Sequence, residues 1–287
     1  MANTCAIIVT FNRLNLLKRC LSSIANQTLP PSNIIVVDNA STDGTEEFCS
    51  RNANIQYLKQ ETNLGGAGGF SRGIKYAFEE GYEYFWIMDD DGVPDNQCLE
   101  ILSSFTRQGF QYVAPNLLTE DGISHFDTKM KKCPMDYISH MGGPFNGILI
   151  SRKIVETVGY PMAQFFIWGD EYEYLSRIME AGFVVITSKK AIHVHKSTAY
   201  SYARCPRPYY LVRNSIYIYR LNSVFSSSNG PLLIRTWSII FRLFFYGFLA
   251  GNISQLGYVL KGVFDGIRDN LNSSKEDCCW NGVRNEF

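Results

Sequence analysis

Three carboxylates stand side by side in this sequence, Asp89-Asp90-Asp91, directly behind the apolar run Phe85-Trp86-Ile87-Met88. Like charges at a strand end repel one another, and a cation offsets that repulsion. Side chains alternate along extended backbone, so Asp89 and Asp91 point one way and Asp90 the other. The outer pair can hold one hard divalent ion, of the kind that keeps several waters and bridges phosphates. Asp90 is left for a ribose or for the fold. The same stretch also reads as a solvated turn in which Asp95 caps a helix. A second acidic pair, Asp170-Glu171, follows Trp168-Gly169. Such a carboxylate can act as a general base, taking the proton of an attacking hydroxyl. A carboxylate at a helix start equally offsets the helix dipole, by ~0.3–1 kcal/mol. His193 and His195 follow the strand-like residues 184–187. A neutral imidazole can complete a metal site or touch a diphosphate, and otherwise belongs to core or surface. Lys196, Arg204, Arg207 and Arg213 are basic groups that could neutralise a diphosphate.

Glycines mark another candidate. In Asn63-Leu64-Gly65-Gly66-Ala67-Gly68-Gly69-Phe70-Ser71-Arg72-Gly73 they permit positive φ and close backbone approach. A helix beginning after them, from Gly73, would favour anions at its N-terminus. The dinucleotide fingerprint is excluded, because that motif follows the first strand with a different spacing. The alternative reading is a flexible connector.

The elements that must position these groups alternate. Residues 6–10, 33–38, 55–58 and 84–88 are β-rich, and residues 14–26 and 73–80 carry helical spacing. Thr42 or Asp43 can cap a helix through Glu46 and Glu47. This rhythm predicts an α/β fold, a mostly parallel sheet with helices on both faces. Ligands of such sheets sit beyond the carboxyl ends of the strands. Thr10-Phe11-Asn12-Arg13, Asp38-Asn39, residues 63–69 and Asp89 to Asp91 all fall there.

The chain has 287 residues, 27 basic and 27 acidic, which gives no general pull toward nucleic acid. Its eight cysteines show no zinc spacing, and reduced thiols are expected. No signal peptide is expected, because the first apolar run is short and lacks a basic flank. Residues 223–230 read as a Ser-rich linker. Residues 232–264 are apolar and aromatic, broken by Arg235, Arg242 and Lys261. Amphipathic helices on a membrane or on another subunit are expected there, with a helical core packed on the sheet as the alternative. The expected division is residues 1–222, helices in 223–270, and a polar tail in 271–287.

Together, IIVTFNR, IIVVDNASTDGT, NLGGAGGFSRG, WIMDDDGVPD and FFIWGDEYEYLSRIMEAGF followed by HVHK resemble a family 2 inverting glycosyltransferase of the GT-A fold. Order and spacing agree over residues 4–220. NLGGAGGFSRG with MDDD is most similar to bacterial galactofuranosyltransferases, and rhamnosyltransferases share the plan. The resemblance implies a Rossmann-like central sheet with a C-terminal helical region. It implies that Thr10, Phe11, Arg13, Asp38 and Asn63 hold the uridine and ribose of a nucleotide-sugar donor, with Gly65, Gly66 and Asp90 in the same donor site. It implies Mn²⁺ or Mg²⁺ on Asp89 and Asp91, with His195 as third ligand, and an acceptor side lined by Trp168 and Phe166. The family often shows two aspartates where this chain has Asp170-Glu171, and the second is the base. That position is Glu171 here, and the base stays open between Glu171 and Asp170. The donor implied is UDP-galactofuranose, or dTDP-rhamnose on the rhamnosyltransferase plan. RPYYLVRNSIYI is similar to members with lipid-linked glycan acceptors, as in O-antigen synthesis. The apolar helices fit peripheral attachment to the cytoplasmic membrane face, or a homo-oligomer. A pure nucleotide-sugar binder has no need of a base. A nucleotidyltransferase would carry its glycines where Thr10-Phe11-Asn12-Arg13 stand.

Overall fold

A computed structural model of the chain describes residues 3–124, 133–139, 144–195, 207–225, 230–249 and 253–268. Lys196, Arg204, the side chain of Arg207 and the polar tail lie outside them. The chain forms two compact units, one from Met1–Ala163 with Tyr174–Thr198, the other from Gln164–Glu173 with Ala199–Phe287.

The first unit is built on one nine-stranded sheet. Strands β1 (Thr4–Thr10), β2 (Asn33–Asp38), β3 (Ile55–Lys59) and β4 (Tyr84–Asp89) are all parallel, in the spatial order β3-β2-β1-β4. Beyond β4 come β8 (Ile148–Ser151), antiparallel, and β6 (Tyr112–Leu118), antiparallel to β8. Next is β9 (Val185–His195), parallel to β6, with β5 (Gly92–Pro94) and β7 (Tyr137–Ser139) both antiparallel on β9. The helices are α1 (Leu14–Ala25), α2 (Thr45–Ser50), α3 (Gly65–Glu79), α4 (Cys98–Thr106), α5 (Arg152–Val158) and α6 (Asp170–Glu180). The boundary between the two units falls inside α6, after Glu173.

Alternation along the strands decides the two cores. Cys5, Ile7 and Val9 of β1 point to the face where Phe70, Ile74 and Ala77 of α3 pack. Ala6 and Ile8 point to the other, against Leu17, Cys20 and Ile24 of α1 and Leu99 and Leu102 of α4. Near-continuous apolar runs are what a sheet covered on both faces requires. Cys5, Cys20, Cys49, Cys98 and Cys133 are free thiols.

Two sequence expectations change. The glycine-rich segment is not a loop before Gly73: α3 begins at Gly65. Its glycines serve packing, since a Cβ on Gly69 would lie 2.4 Å from Val9 Cγ1 and one on Gly73 2.4 Å from Ile7 Cγ2. His193 and His195 do not follow a strand that ends at Thr187; both belong to β9. A register shift against β6 between Ala114 and Asn116 lets β9 continue, with the N–H groups of Lys190 and Ala191 donating to Ser188 Oγ. Asp170 and Glu171 lie in the first turn of α6, where the helix-dipole reading puts them.

The second unit contains α7 (Arg207–Phe225), α8 (Gly230–Leu249) and α9 (Ile253–Ile267). These helices pack around Val212, Ile216, Ile240 and Val259. Residues 223–225 of the expected linker are helical, and α7 crosses the expected boundary at 222. The unit boundary lies earlier, because α7 forms its core with α8 and α9. Among the described residues no helix is long and apolar enough to cross a membrane.

Candidate active site

Parallel pairing places the carboxyl ends of β1, β2 and β4 in line. Thr10 stands opposite Asp38, and Val9 opposite Asp89. The turn after β1 is tied to the turn after β2. Asn12, at φ 54, donates its N–H to Ser41 Oγ at 2.8 Å and accepts the N–H of Thr42 at 2.7 Å. Asp43 serves two helix starts, accepting Leu14 N–H at 2.8 Å and Thr45 N–H at 3.3 Å. Arg13, at the start of α1, is thereby aimed at the acidic triplet: its Nη1 lies 3.1 Å from Asp90 Oδ1 and 3.1 Å from Asp91 Oδ2.

Of the two roles open to Asp90, the fold takes it. Asp90 is 2% exposed, and its other oxygen accepts the Thr10 hydroxyl at 2.7 Å. In this position Asp90 anchors Thr10 and Arg13, two of the residues implied to hold the donor beside it. Burial pushes its pKa up to about 6 against the pull of Arg13. Asp89 and Asp91 turn the other way and meet His195. The pairing of Gly92 with His195 across β5 and β9 delivers the imidazole. The ligand atoms of Asp89, Asp91 and His195 all lie within 4.8 Å of one another. Loss of water, then the charges of Asp91 and Asp90, push Asp89 well above the usual carboxylate range. Burial works against Asp91 too, but His195 and Arg13 outweigh it and hold its pKa down. Burial lowers the His195 pKa, and Asp91 and Asp89 more than reverse that. His195 Nε2 stands 3.2 Å from Asp91 Oδ1, yet that buried oxygen has no hydrogen-bond donor. Two carboxylates, an imidazole and an orphaned carboxylate oxygen fit a divalent cation.

His193 does not join them. It is fully buried, with Nε2 3.1 Å from Asn146 Oδ1. Burial pushes its pKa down to about 3, so it stays neutral. Gly92 and Gly147 make room for the ring, since a Cβ on them would lie 2.4 Å and 2.5 Å from its nitrogens.

On the side of β2, Asp38 is fully buried and accepts Ser41 N–H at 2.9 Å and the Tyr57 hydroxyl at 2.6 Å. Asn63 Oδ1 accepts the N–H of Gly65 at 2.8 Å, and Asn39 Nδ2 donates to Gly65 O at 3.0 Å. Asn39 N–H in turn donates to Thr10 O at 2.9 Å. Thr10, Arg13, Asp38, Asn63, Gly65 and the acidic triplet thus form one connected edge. Phe11 and Gly66 are half-buried along it.

The second unit holds the other predicted residues. Phe166 and Trp168 have φ values of 67° and 62°, and Gly169 has 93°. A non-glycine residue there costs about 1–3 kcal/mol and persists only where its surroundings over-determine it. Asn214 does so, donating from Nδ2 toward the carbonyls of Phe165, Ile167 and Trp168 at 3.1, 2.9 and 2.6 Å. Arg213 Nη2 donates to the carbonyls of Gln164 and Phe165, both at 2.9 Å. The guanidinium is fully buried, so Arg213 is a clamp and not the diphosphate contact the sequence suggested. Phe166 stacks on Tyr210 at 4.8 Å between ring centroids. α6 starts directly behind this turn. Asp170 is 3% exposed and Glu171 half-buried. Burial raises the Glu171 pKa, and hydrogen bonds to Asp170 and at Gly169 pull back against it.

Asn214, Arg213 and Asn146 were not singled out for these roles, and Asp43 was read as the cap of one helix, not two. The available signal was the polar Arg213-Asn214 pair between the aromatic Tyr209-Tyr210 and the apolar run at Ile216.

A parallel sheet with an acidic turn and an imidazole at its carboxyl edge is the frame of a GT-A glycosyltransferase. The model of the family described as glycosyl transferase family 2 matches residues 5–163, and the chain belongs to that family. It is a glycosyltransferase. The galactofuranosyltransferase GlfT1 of Mycolicibacterium smegmatis is 30% identical over 211 residues, 67% of this chain and 70% of that one. The solved structure of S. aureus TarS 1–349 with UDP-GlcNAc aligns at TM-score 0.64 and 15% identity, over 93% of this chain and 81% of that one. In a longer TarS structure this chain spans 49% of the length. The mannosyltransferase PcManGT from Pyrobaculum calidifontis, solved with GDP-Man and Mn²⁺, aligns at TM-score 0.59 and 15% identity, over 93% of this chain and 87% of that one. At such identities the solved structures speak for the fold.

Proposed function

We propose that the chain transfers galactofuranose from UDP-galactofuranose, with inversion, to a glycan acceptor carried on lipid. The observation that carries a metal-dependent transfer is the meeting of Asp89, Asp91 and His195 around an orphaned carboxylate oxygen. The likeness to GlfT1 supports the donor. A location on the inner face of a bacterial cytoplasmic membrane, in cell-surface polysaccharide synthesis, suits such an acceptor.

Asp89, Asp91 and His195 hold Mn²⁺ or Mg²⁺, and an imidazole in the set favours Mn²⁺. A cation held there supplies positive charge against the negative charge growing on the leaving diphosphate. Thr10, Phe11, Arg13, Asp38, Asn63, Gly65 and Gly66 form the nucleotide edge. Arg13, locked by Asp90, adds a fixed positive charge beside the diphosphate. Trp168 and Phe166 line the acceptor side. The acceptor hydroxyl gives its proton to the Glu171 carboxylate, and its oxygen attacks the anomeric carbon. The bond from that carbon to the diphosphate breaks through an oxocarbenium-like state. UDP leaves with the electron pair, and the configuration inverts. Burial raises the pKa of Glu171, which suits a general base.

Release of nucleoside diphosphate from UDP-galactofuranose, UDP-galactopyranose and dTDP-rhamnose, with Mn²⁺ and with chelator, tests this reading. Release from UDP-galactofuranose alone, abolished by chelator, is expected. Release from dTDP-rhamnose alone would keep the reaction and replace the donor. Tight binding of one donor without turnover, even with a lipid-linked glycan present, would leave a binding module instead.

A further inference from the structure

The second unit turns an aromatic, basic face outward. On α8, Trp237, Phe241, Phe244 and Phe245 recur at i, i+4, i+7 and i+8, with Trp237 57% and Phe241 69% exposed. Ile240 and Leu243 of the same helix pack inward with Val212 and Ile216. On α9, Ile253, Leu260, Phe264 and Ile267 are exposed, while Val259 and Val263 pack inward. Among the described side chains, both helices pack one apolar stripe inward and present a second outward.

Charge decides what that stripe meets. Residues 230–268 contain Arg235, Arg242, Lys261 and Arg268 against one acid, Asp265. Asp265 is 5% exposed and accepts the Tyr209 hydroxyl at 2.8 Å, so it does not offset charge at the surface. Arg242 and Arg268 are exposed beside the aromatic residues. A second copy meeting this face about a two-fold axis would bring the same cations together, with no exposed acid among the described residues of the two helices between them. An acidic surface with an apolar layer beneath it satisfies both features. Neither helix is long and apolar enough to span a bilayer.

We propose that the α8–α9 face docks on an anionic phospholipid surface, with Trp237, Phe241, Phe244 and Phe245 entering the interfacial layer and the exposed Arg242 and Arg268 meeting lipid phosphates. The docking rests on the membrane location proposed above and names the surface and lipid chemistry behind it, and it depends on neither donor nor metal.

Cosedimentation of the full chain with vesicles tests it without any sugar nucleotide. Binding to phosphatidylcholine vesicles containing phosphatidylglycerol is expected to exceed binding to pure phosphatidylcholine by about tenfold, and to weaken with salt. The double variant Trp237→Ser, Phe241→Ser is expected to lose about tenfold in binding, and Arg242→Glu to lose the preference for phosphatidylglycerol. Ile123→Ser, at an exposed apolar residue of the other unit, controls for general loss of stickiness. All three keep their unfolding midpoints, since the altered side chains are exposed. Equal binding to both vesicle types overturns the proposal. So does an absence of vesicle binding together with a dimer, seen by light scattering, that the double variant abolishes; the occupant is then a second copy.

Discussion

The acidic turn at residues 89–91 and the aromatic turn at residues 166–169 are both irregular backbone beside carboxylates, and they are held by opposite means. In the first, charge does the holding: Arg13 bridges Asp90 and Asp91, and His195 stands at Asp91. The charges do not balance, because Asp89 is pushed toward its protonated form and an oxygen of Asp91 lacks a donor. In the second, neutral and cationic donors of α7 grip successive carbonyls, and positive φ values at Phe166 and Trp168 persist under that grip. The acidic turn is electrostatically incomplete and geometrically relaxed. The aromatic turn is geometrically strained, and its carbonyls are gripped by Asn214 and Arg213. A site that accepts a charged ligand leaves charge unsatisfied, whereas one that presents a fixed surface stores strain and holds it with hydrogen bonds.

Relieving the charge is the harshest way to break that contrast. Asp89→Asn is expected to lower kcat on the order of 10²–10³-fold, while raising the unfolding midpoint measured in chelator. The stability gain follows from removing a carboxylate that burial and two neighbours oppose. A lower midpoint in chelator would show that the cluster is not under strain without a cation. Glu171→Gln is expected to lower kcat by 10²–10⁴-fold, the usual range for a lost general base, with the donor KM nearly unchanged. Normal turnover would pass the base role to Asp170.

Much of the first turn was legible because strand periodicity alone separates Asp89 and Asp91 from Asp90. The C-terminal edge of a parallel sheet was likewise legible from four apolar runs ending in polar residues. His195 was readable only as a type of residue, since its position depends on β9 continuing past a register shift at Ser188 to pair with Gly92. The glycines of residues 65–73 misled for a related reason: their use is contact of α3 with Val9 and Ile7, distant in sequence. The second turn was less legible still. Nothing local to Phe166 announces positive φ, and the residue that enforces it, Asn214, lies 46 positions beyond Trp168.

Asn214→Ala sharpens the comparison from the strained side. It leaves up to three carbonyls without that donor, at a cost of about 1–3 kcal/mol for a buried unsatisfied group. Chemical denaturation is expected to show that loss, with kcat reduced about tenfold and donor KM retained, as a displaced acceptor surface would give. If Asn214→Ala lowered stability but left kcat intact, the clamp would serve folding alone.

The smallest expected effect lies beneath the acidic turn. His193 has a folded pKa of about 3, against about 6.5 in an unfolded chain. Between those values the unfolded chain binds a proton that the native chain does not, so stability is present above pH 6.5 and falls as the pH drops, by about 1.4 kcal/mol per unit. Asp90 acts in the opposite sense. Its folded pKa of about 6 lies above the unfolded value, so its contribution is present at low pH and lost as the pH rises toward 6. In the wild-type chain the two slopes offset each other between roughly pH 4 and 6. The separation therefore comes from comparison with His193→Gln, which keeps a neutral polar side chain and removes one slope. Measured by denaturant unfolding in chelator, the variant is expected to gain about 2 kcal/mol relative to wild type on going from pH 7 to 5. A constant difference across that range would mean that His193 accepts a proton in the fold, at the cost of its contact with Asn146.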